Sequence, residues 1–115
     1  MQMEISFMWG IYLDIKAFED GLFQAVVQYK IDNGKALVML PKPNYELDMK
    51  RIRELPAPPR FIYGEQVSPC NHPDMIGVIV GIHWHFKRNC CFYTISINEK
   101  TRSKRYFDDD LISAV

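Results

Sequence analysis

The chain has 115 residues, 48% hydrophobic and 13% aromatic, enough for a packed interior in one domain or in two very small units. Its 14 basic and 14 acidic residues cancel, so it lacks the basic excess of a general nucleic-acid binder. No window holds the roughly 18 apolar residues that cross a membrane as a helix. The run from Met1 to Trp9 also lacks the basic start and long apolar core of a signal peptide, so the expected location is the cytoplasm, with no membrane partner.

The first stretch alternates. Ile5, Phe7, Trp9, Ile11, Leu13 and Ile15 are apolar at odd positions, which predicts a half-buried strand with the odd face inward and a bulge or bend at Gly10. Glu19-Asp20-Gly21 signals a turn. Phe23, Ala25, Val27, Tyr29 and Ile31 then repeat the alternation. Phe18, Leu22, Val26 and Tyr29 would also share a helical face, but the odd-position run and the closing Asp32-Asn33-Gly34 favour a strand and a tight hairpin. Ala36 to Leu40 is the return strand. Pro41-Lys42-Pro43-Asn44 is expected to stop the sheet, and Asn44 or Asp48 to cap a short helix through Leu55. The proline run Pro56-Ala57-Pro58-Pro59 is a stiff connector and the natural boundary, which divides the chain into 1–58 and 59–115.

Beyond it, Phe61 to Val67 reads as a strand and Ser68 to Asp74 as a loop. Ile76 to Phe86 is a long strand bent at Gly77 and Gly81. Lys87 to Asn89 turns the chain, Cys91 to Ile97 pairs back, and Asn98-Glu99-Lys100 turns it again. Thr101 to Phe107 is the last strand, and Asp108 to Leu111 opens a single helical turn that drops Leu111 into the core. Cys70, Cys90 and Cys91 are an odd set with two adjacent members, as expected of free thiols in a reducing compartment.

The string Tyr63-Gly64-Glu65-Gln66-Val67, a loop, Gly77-Val78-Ile79, a strand, a hairpin, a strand and a closing Asp110-Leu111 resembles an SH3-like barrel of the KOW or Tudor type. Ile82 to Lys87, Tyr93 to Asn98 and Ser103 to Phe107 are similar to small, poorly characterised bacterial proteins met beside toxin genes. That second resemblance implies an immunity role, and neither resemblance implies an active site. The fold expected is therefore mostly β: an N-terminal three-stranded antiparallel meander plus one short helix, sharing a core with and packed on a C-terminal SH3-like β-barrel.

Four chemistries compete for the polar residues. His83 and His85 lie two apart on a strand and share a face, and Cys70, His72, Cys90 and Cys91 could add metal ligands. The spacing of a structural zinc site is missing, so no metal or other cofactor is expected. A thiol nucleophile lacks a third partner, and Asp108, Asp109 and Asp110 are explained by a solvated helix start, so no enzyme is expected. A nucleic-acid face would join His83, His85, Lys87 and Arg88 to Arg102, Lys104, Arg105 and Tyr106, because aromatics beside cations stack bases and hold phosphates. The bland alternative is a salt-bridged surface in which Lys104 or Arg105 answers Asp108 to Asp110. A protein interface would use the same basic face or, against a basic toxin site, the acids Asp108, Asp109 and Asp110. The expectation is a non-catalytic binding protein, an immunity protein that neutralises a toxin domain. The alternative is a module that reads RNA or a peptide. It would be a monomer, or a weak homodimer through an exposed edge of the first strand.

Overall fold

The computed structural model describes residues 7–13 and 24–114. The chain divides within the proline run into two compact units, Met1–Pro58 and Pro59–Val115. The protein is mostly β, with two antiparallel five-stranded sheets, and the only helical elements among the described residues are short 3-10 turns. No helix among the described residues is long and apolar enough to cross a membrane.

The N-terminal sheet contains β1 (Met8–Tyr12), β2 (Val26–Asp32), β3 (Lys35–Leu40), β4 (Tyr45–Leu47) and β5 (Ile52–Glu54), in the spatial order β4-β3-β2-β1-β5. The expected hairpin is present. Asp32 pairs with Lys35, and Asn33 and Gly34 both take positive φ, the geometry of a two-residue turn that matches the twist of its strands. The three-stranded meander is thus the centre of a wider sheet. The prolines at 41 and 43 do not end it, because Asn44 turns the chain at positive φ and β4 pairs back on β3. The expected helix is a 3-10 turn over Met49–Arg51, capped by the Asp48 side chain, and the chain is extended again from Ile52. β5 then covers the free edge of β1, so the edge expected to pair between chains is already used.

The parity of the first strand also differs from the expectation. Met8, Gly10 and Tyr12 lie opposite Tyr29, Val27 and Ala25. The apolar cluster on that face holds Tyr12, Ala25, Val27, Tyr29, Ala36, Val38 and Leu47. Even positions of β1 therefore meet odd positions of β2. Ile11 and Val26 are fully buried as well, on the opposite face, while Phe7, Leu13 and Ile31 are exposed. A strand apolar on both faces has no alternation to identify its core side, and cross-strand register decides instead. Gly10 shows no bulge. It is a point of close approach, where an added Cβ would lie 2.6 Å from Ile52 Cγ2 and 3.0 Å from Tyr29 Cε1. Ile5, Ile15, Phe23 and the Glu19-Asp20-Gly21 turn fall outside the described residues.

The C-terminal sheet contains β6 (Gln66–Pro69), β7 (Gly77–His85), β8 (Cys90–Ile97), β9 (Lys100–Thr101) and β10 (Leu111–Ser113), in the order β10-β6-β7-β8-β9. It is open, since β9 and β10 are its two ends. Phe61 to Glu65 is a turn with Gly64 at positive φ, and pairing continues through Ser68 and Pro69, which were expected in a loop. The bend expected at Gly81 is present as a register shift between Ile79 and Gly81. The expected last strand is broken. It ends as a strand at Thr101, donates once more to β8 from the Arg102 N–H to the Ile95 carbonyl, runs exposed over 102–105 as a bulge, and returns to a backbone bridge with β8 at Tyr106. Leu111 is fully buried, as expected, and it opens β10 against β6.

Tyr93 ties this unit together. Its backbone N–H donates to the Tyr106 carbonyl at 2.7 Å, and its carbonyl accepts from the Tyr106 N–H at 3.0 Å. Its ring is fully buried edge-on to Phe61, at 5.5 Å between centroids. Its hydroxyl donates to Asp108 Oδ1 at 2.7 Å and accepts from the Phe61 N–H at 3.5 Å. Burial first, and then the Asp108 carboxylate, push its ionisation upward. Burial likewise raises Tyr63, whose hydroxyl donates to the Ile82 carbonyl. Burial, followed by the charges of Asp108 and Cys90, pushes the Cys91 thiol from 9.0 up to about 12.

Two outcomes follow. Gly10→Ala forces Ile52 and Tyr29 aside and lowers the unfolding free energy by about 1–3 kcal/mol, read by chemical denaturation. In alkali, the unfolded chain releases protons that folded Cys91, Tyr63 and Tyr93 retain. Stability is therefore full below the ordinary thiol and phenol values and falls as pH rises through them, by about 1.4 kcal/mol per pH unit for each group. Tyr93→Phe costs about 1–2 kcal/mol at neutral pH through its lost hydrogen bonds and removes one group from that slope, measured by denaturation at stepped pH.

Candidate functional site

The polar residues singled out in the sequence converge on the β7–β8 hairpin. His83 lies directly opposite Phe92, His85 opposite Cys90, and Trp84 opposite Cys91. Strand alternation therefore puts His83, His85 and Phe92 on one face, and Trp84 and the buried Cys91 on the other. The His83 and Phe92 rings stack at 5.6 Å, and His85 meets Phe92 edge-on at 6.1 Å. Phe107 completes the cluster at 5.6 Å from His85 and 6.4 Å from Phe92. It arrives there because its neighbour Tyr106 bridges to Tyr93 and points inward, with 8% of its surface exposed.

Two arginines cap the cluster. The Arg88 guanidinium lies 4.1 Å from the Phe107 ring centre, and that of Arg105 lies 4.8 Å from the centre of Phe92. Arg88 comes from the four-residue turn between β7 and β8, where Asn89 adopts positive φ and the Arg88 N–H donates to His85 Nδ1 at 3.1 Å. Arg105 comes from the bulge before Tyr106. A cation over a ring gains about 0.5–1 kcal/mol at an exposed site. All of His83, His85, Phe92 and Phe107 are half-buried, and both arginines are exposed.

The remaining candidates sort by position. Lys87 is exposed in the same turn, and Arg102 is exposed at the start of the bulge, its N–H donating to the Ile95 carbonyl. Lys104 lies 5.1 Å from the centre of the Tyr106 ring and lines a shallow cavity of about 210 Å³ with Cys70, Asn71, Asp109 and Asp110. The acids are largely committed to the fold. Asp108 Oδ1 accepts from the Tyr93 hydroxyl, and its carbonyl accepts from Arg60 Nη1 at 2.5 Å. Asp110 Oδ2 accepts from the Phe107 N–H at 2.9 Å and caps the 3-10 turn Asp108–Asp110. Asp109 is exposed, and its carbonyl accepts from the Cys70 thiol. The salt-bridged surface that would make this region bland is not formed. The ion pair seen among the described residues is Lys35–Glu46 at 3.7 Å, on the N-terminal sheet beside a cleft of about 430 Å³.

Cys91 is buried with its thiol held protonated, and no hydrogen bond joins Cys90 to His85 among the described residues. No three His, Cys, Asp or Glu side chains gather as a metal site among the described residues. Phe92 and Phe107 are the residues the sequence reading missed. The signal was present for Phe92, since Cys91, Tyr93, Ile95 and Ile97 are buried and the residues between them face the other way. For Phe107 it lay only in the Tyr93–Tyr106 bridge, which also takes Tyr106 out of the exposed face where it was expected.

Comparison with curated proteins and with solved structures finds no match for the chain. A family model does match, over residues 13–112, and so spans nearly all of the chain. The chain belongs to that family, described as a family of unknown function (DUF6960).

Proposed function

We propose that this is a non-catalytic binding protein of the immunity type, which neutralises a toxin domain by docking the β7–β8 face on it. The observation that carries this reading is the half-buried cluster of Phe92, Phe107, His83 and His85 capped by Arg88 and Arg105. Aromatic and arginine side chains held in place before binding are the groups that dominate interface energetics, because little side-chain entropy is left to lose. The commitment of Asp108 and Asp110 to the 3-10 turn favours the basic face over the acidic end as the docking surface.

The strand order β10-β6-β7-β8-β9, with a 3-10 turn just ahead of the last strand, supports kinship of the C-terminal unit with SH3-like barrels. In this reading the protein works in the cytoplasm as a monomer, without cofactor. A second reading is favoured by the guanidinium groups lying over phenyl rings: a KOW- or Tudor-like module that holds unpaired RNA bases on the same face.

Co-expression with the product of a neighbouring toxin-type reading frame restores growth, and the two proteins co-purify after nuclease treatment. Phe92→Ser with Phe107→Ser weakens that complex by about 2 kcal/mol or more, roughly thirtyfold, read by calorimetry. Failure of any such partner to be bound or neutralised, together with an RNA gel shift that is salt-sensitive and lost in Lys104→Ala with Arg105→Ala, would replace the immunity reading with the RNA module.

A further inference from the structure

The two arginines on this face form no ion pair among the described residues, and neither does Lys87 in the same turn; all three are exposed. Of the nearby acids, Asp108 serves the Tyr93 hydroxyl and Asp110 the Phe107 N–H, and Asp109 is exposed without an ion pair among the described residues. Neither the Arg88 nor the Arg105 guanidinium has a hydrogen-bond partner among the described residues, while each lies against a ring, 4.1 Å from Phe107 and 4.8 Å from Phe92. Those two rings are 6.4 Å apart. Two planar, permanently charged groups are thus held on neighbouring platforms with their N–H donors unspent. That arrangement suits carboxylates taken in a two-point fashion, with apolar contact between them on the phenyl and imidazole rings.

We infer that Arg88 and Arg105 form a double guanidinium clamp for an acidic, aromatic-bearing segment of a protein partner. This inference rests on the reading of the face as a protein-docking surface and supplies its chemistry: the partner presents carboxylates, not a basic cleft. The chain's balanced total of 14 basic and 14 acidic residues argues for a short carboxylate-bearing segment over a long polyanion, because no extended positive field is available to hold a nucleic-acid backbone.

The test uses the intact protein and three fluorescent probes: a peptide alternating glutamate with tryptophan, the same peptide with glutamine for glutamate, and a single-stranded oligouridine of matched charge. The glutamate peptide binds in fluorescence anisotropy, the glutamine peptide does not, and the oligouridine binds more weakly than the glutamate peptide. Arg88→Ala with Arg105→Ala weakens the glutamate peptide about tenfold while the variant still unfolds in one cooperative transition, its midpoint lowered only by the two lost ring contacts. Arg88→Lys with Arg105→Lys, which keeps the charge and loses the planar donors, recovers only part of that loss. Tighter binding of oligouridine, equal binding of the two peptides, or full recovery by the lysine pair overturns the clamp. The immunity reading fails separately: if no toxin is neutralised while the glutamate peptide still binds through the arginines, the clamp stands without it. If a toxin is neutralised equally well by the double alanine variant, the clamp falls and the immunity reading survives.

Discussion

The C-terminal unit depends on one buried tyrosine held from several sides. Tyr93 exchanges two backbone hydrogen bonds with Tyr106, packs edge-on against Phe61, and passes its hydroxyl proton toward Asp108. A fully buried phenol left without partners would cost about 1–3 kcal/mol, so these bonds are needed to keep its ring in the core. Among the described residues the backbone bridge is the ladder contact between β8 and the chain beyond Arg102, and it sets which way the residues beside Tyr106 face. Once Tyr93 and Tyr106 point inward, Phe92 and Phe107 must point outward, because neighbours on a strand alternate. The exposed aromatic face is thus the reverse side of a buried constraint.

The same constraint allocates charge. Asp108 is drawn to the Tyr93 hydroxyl, and Asp110 closes the 3-10 turn that brings Leu111 to β6. These bonds deliver the last strand to the sheet, and in doing so they take two carboxylates away from the arginines. Arg88 and Arg105 rest on phenyl rings instead. A guanidinium on a ring gives up little hydration and keeps its donors, so a surface neutral in total carries a locally unanswered positive face. Beneath it, Cys91 faces the other side of the sheet, sealed and protonated, which separates recognition on one face from packing on the other.

The N-terminal sheet shows the complementary lesson. The Asn33-Gly34 hairpin was legible because so few residue pairs accept two successive positive φ angles. The core side of β1 was not, because Ile11 and Tyr12 are both buried and strict alternation of two apolar sets fits either register. A helix is expected over β5 because Asn44 and Asp48 are capping residues, and three-residue strands carry too few residues to show a period.

The amino-acid sequence by itself determined the mostly β class, the tight turns, the division at the proline run, and the gathering of His83, His85, Arg88 and Arg105 near one hairpin. These rest on local chemistry: alternation, turn-forming dipeptides and the rigidity of proline act within a few residues. Only the tertiary structure decided that β5 covers the edge of the first strand, that the last predicted strand breaks into a bulge, that Phe92 and Phe107 replace Tyr106 on the exposed face, and that Asp108 and Asp110 bond within the fold and not to the arginines. Each of those depends on a pairing or hydrogen bond between residues distant in sequence, and the register of such a pairing is fixed by which side chains fit together in the folded core.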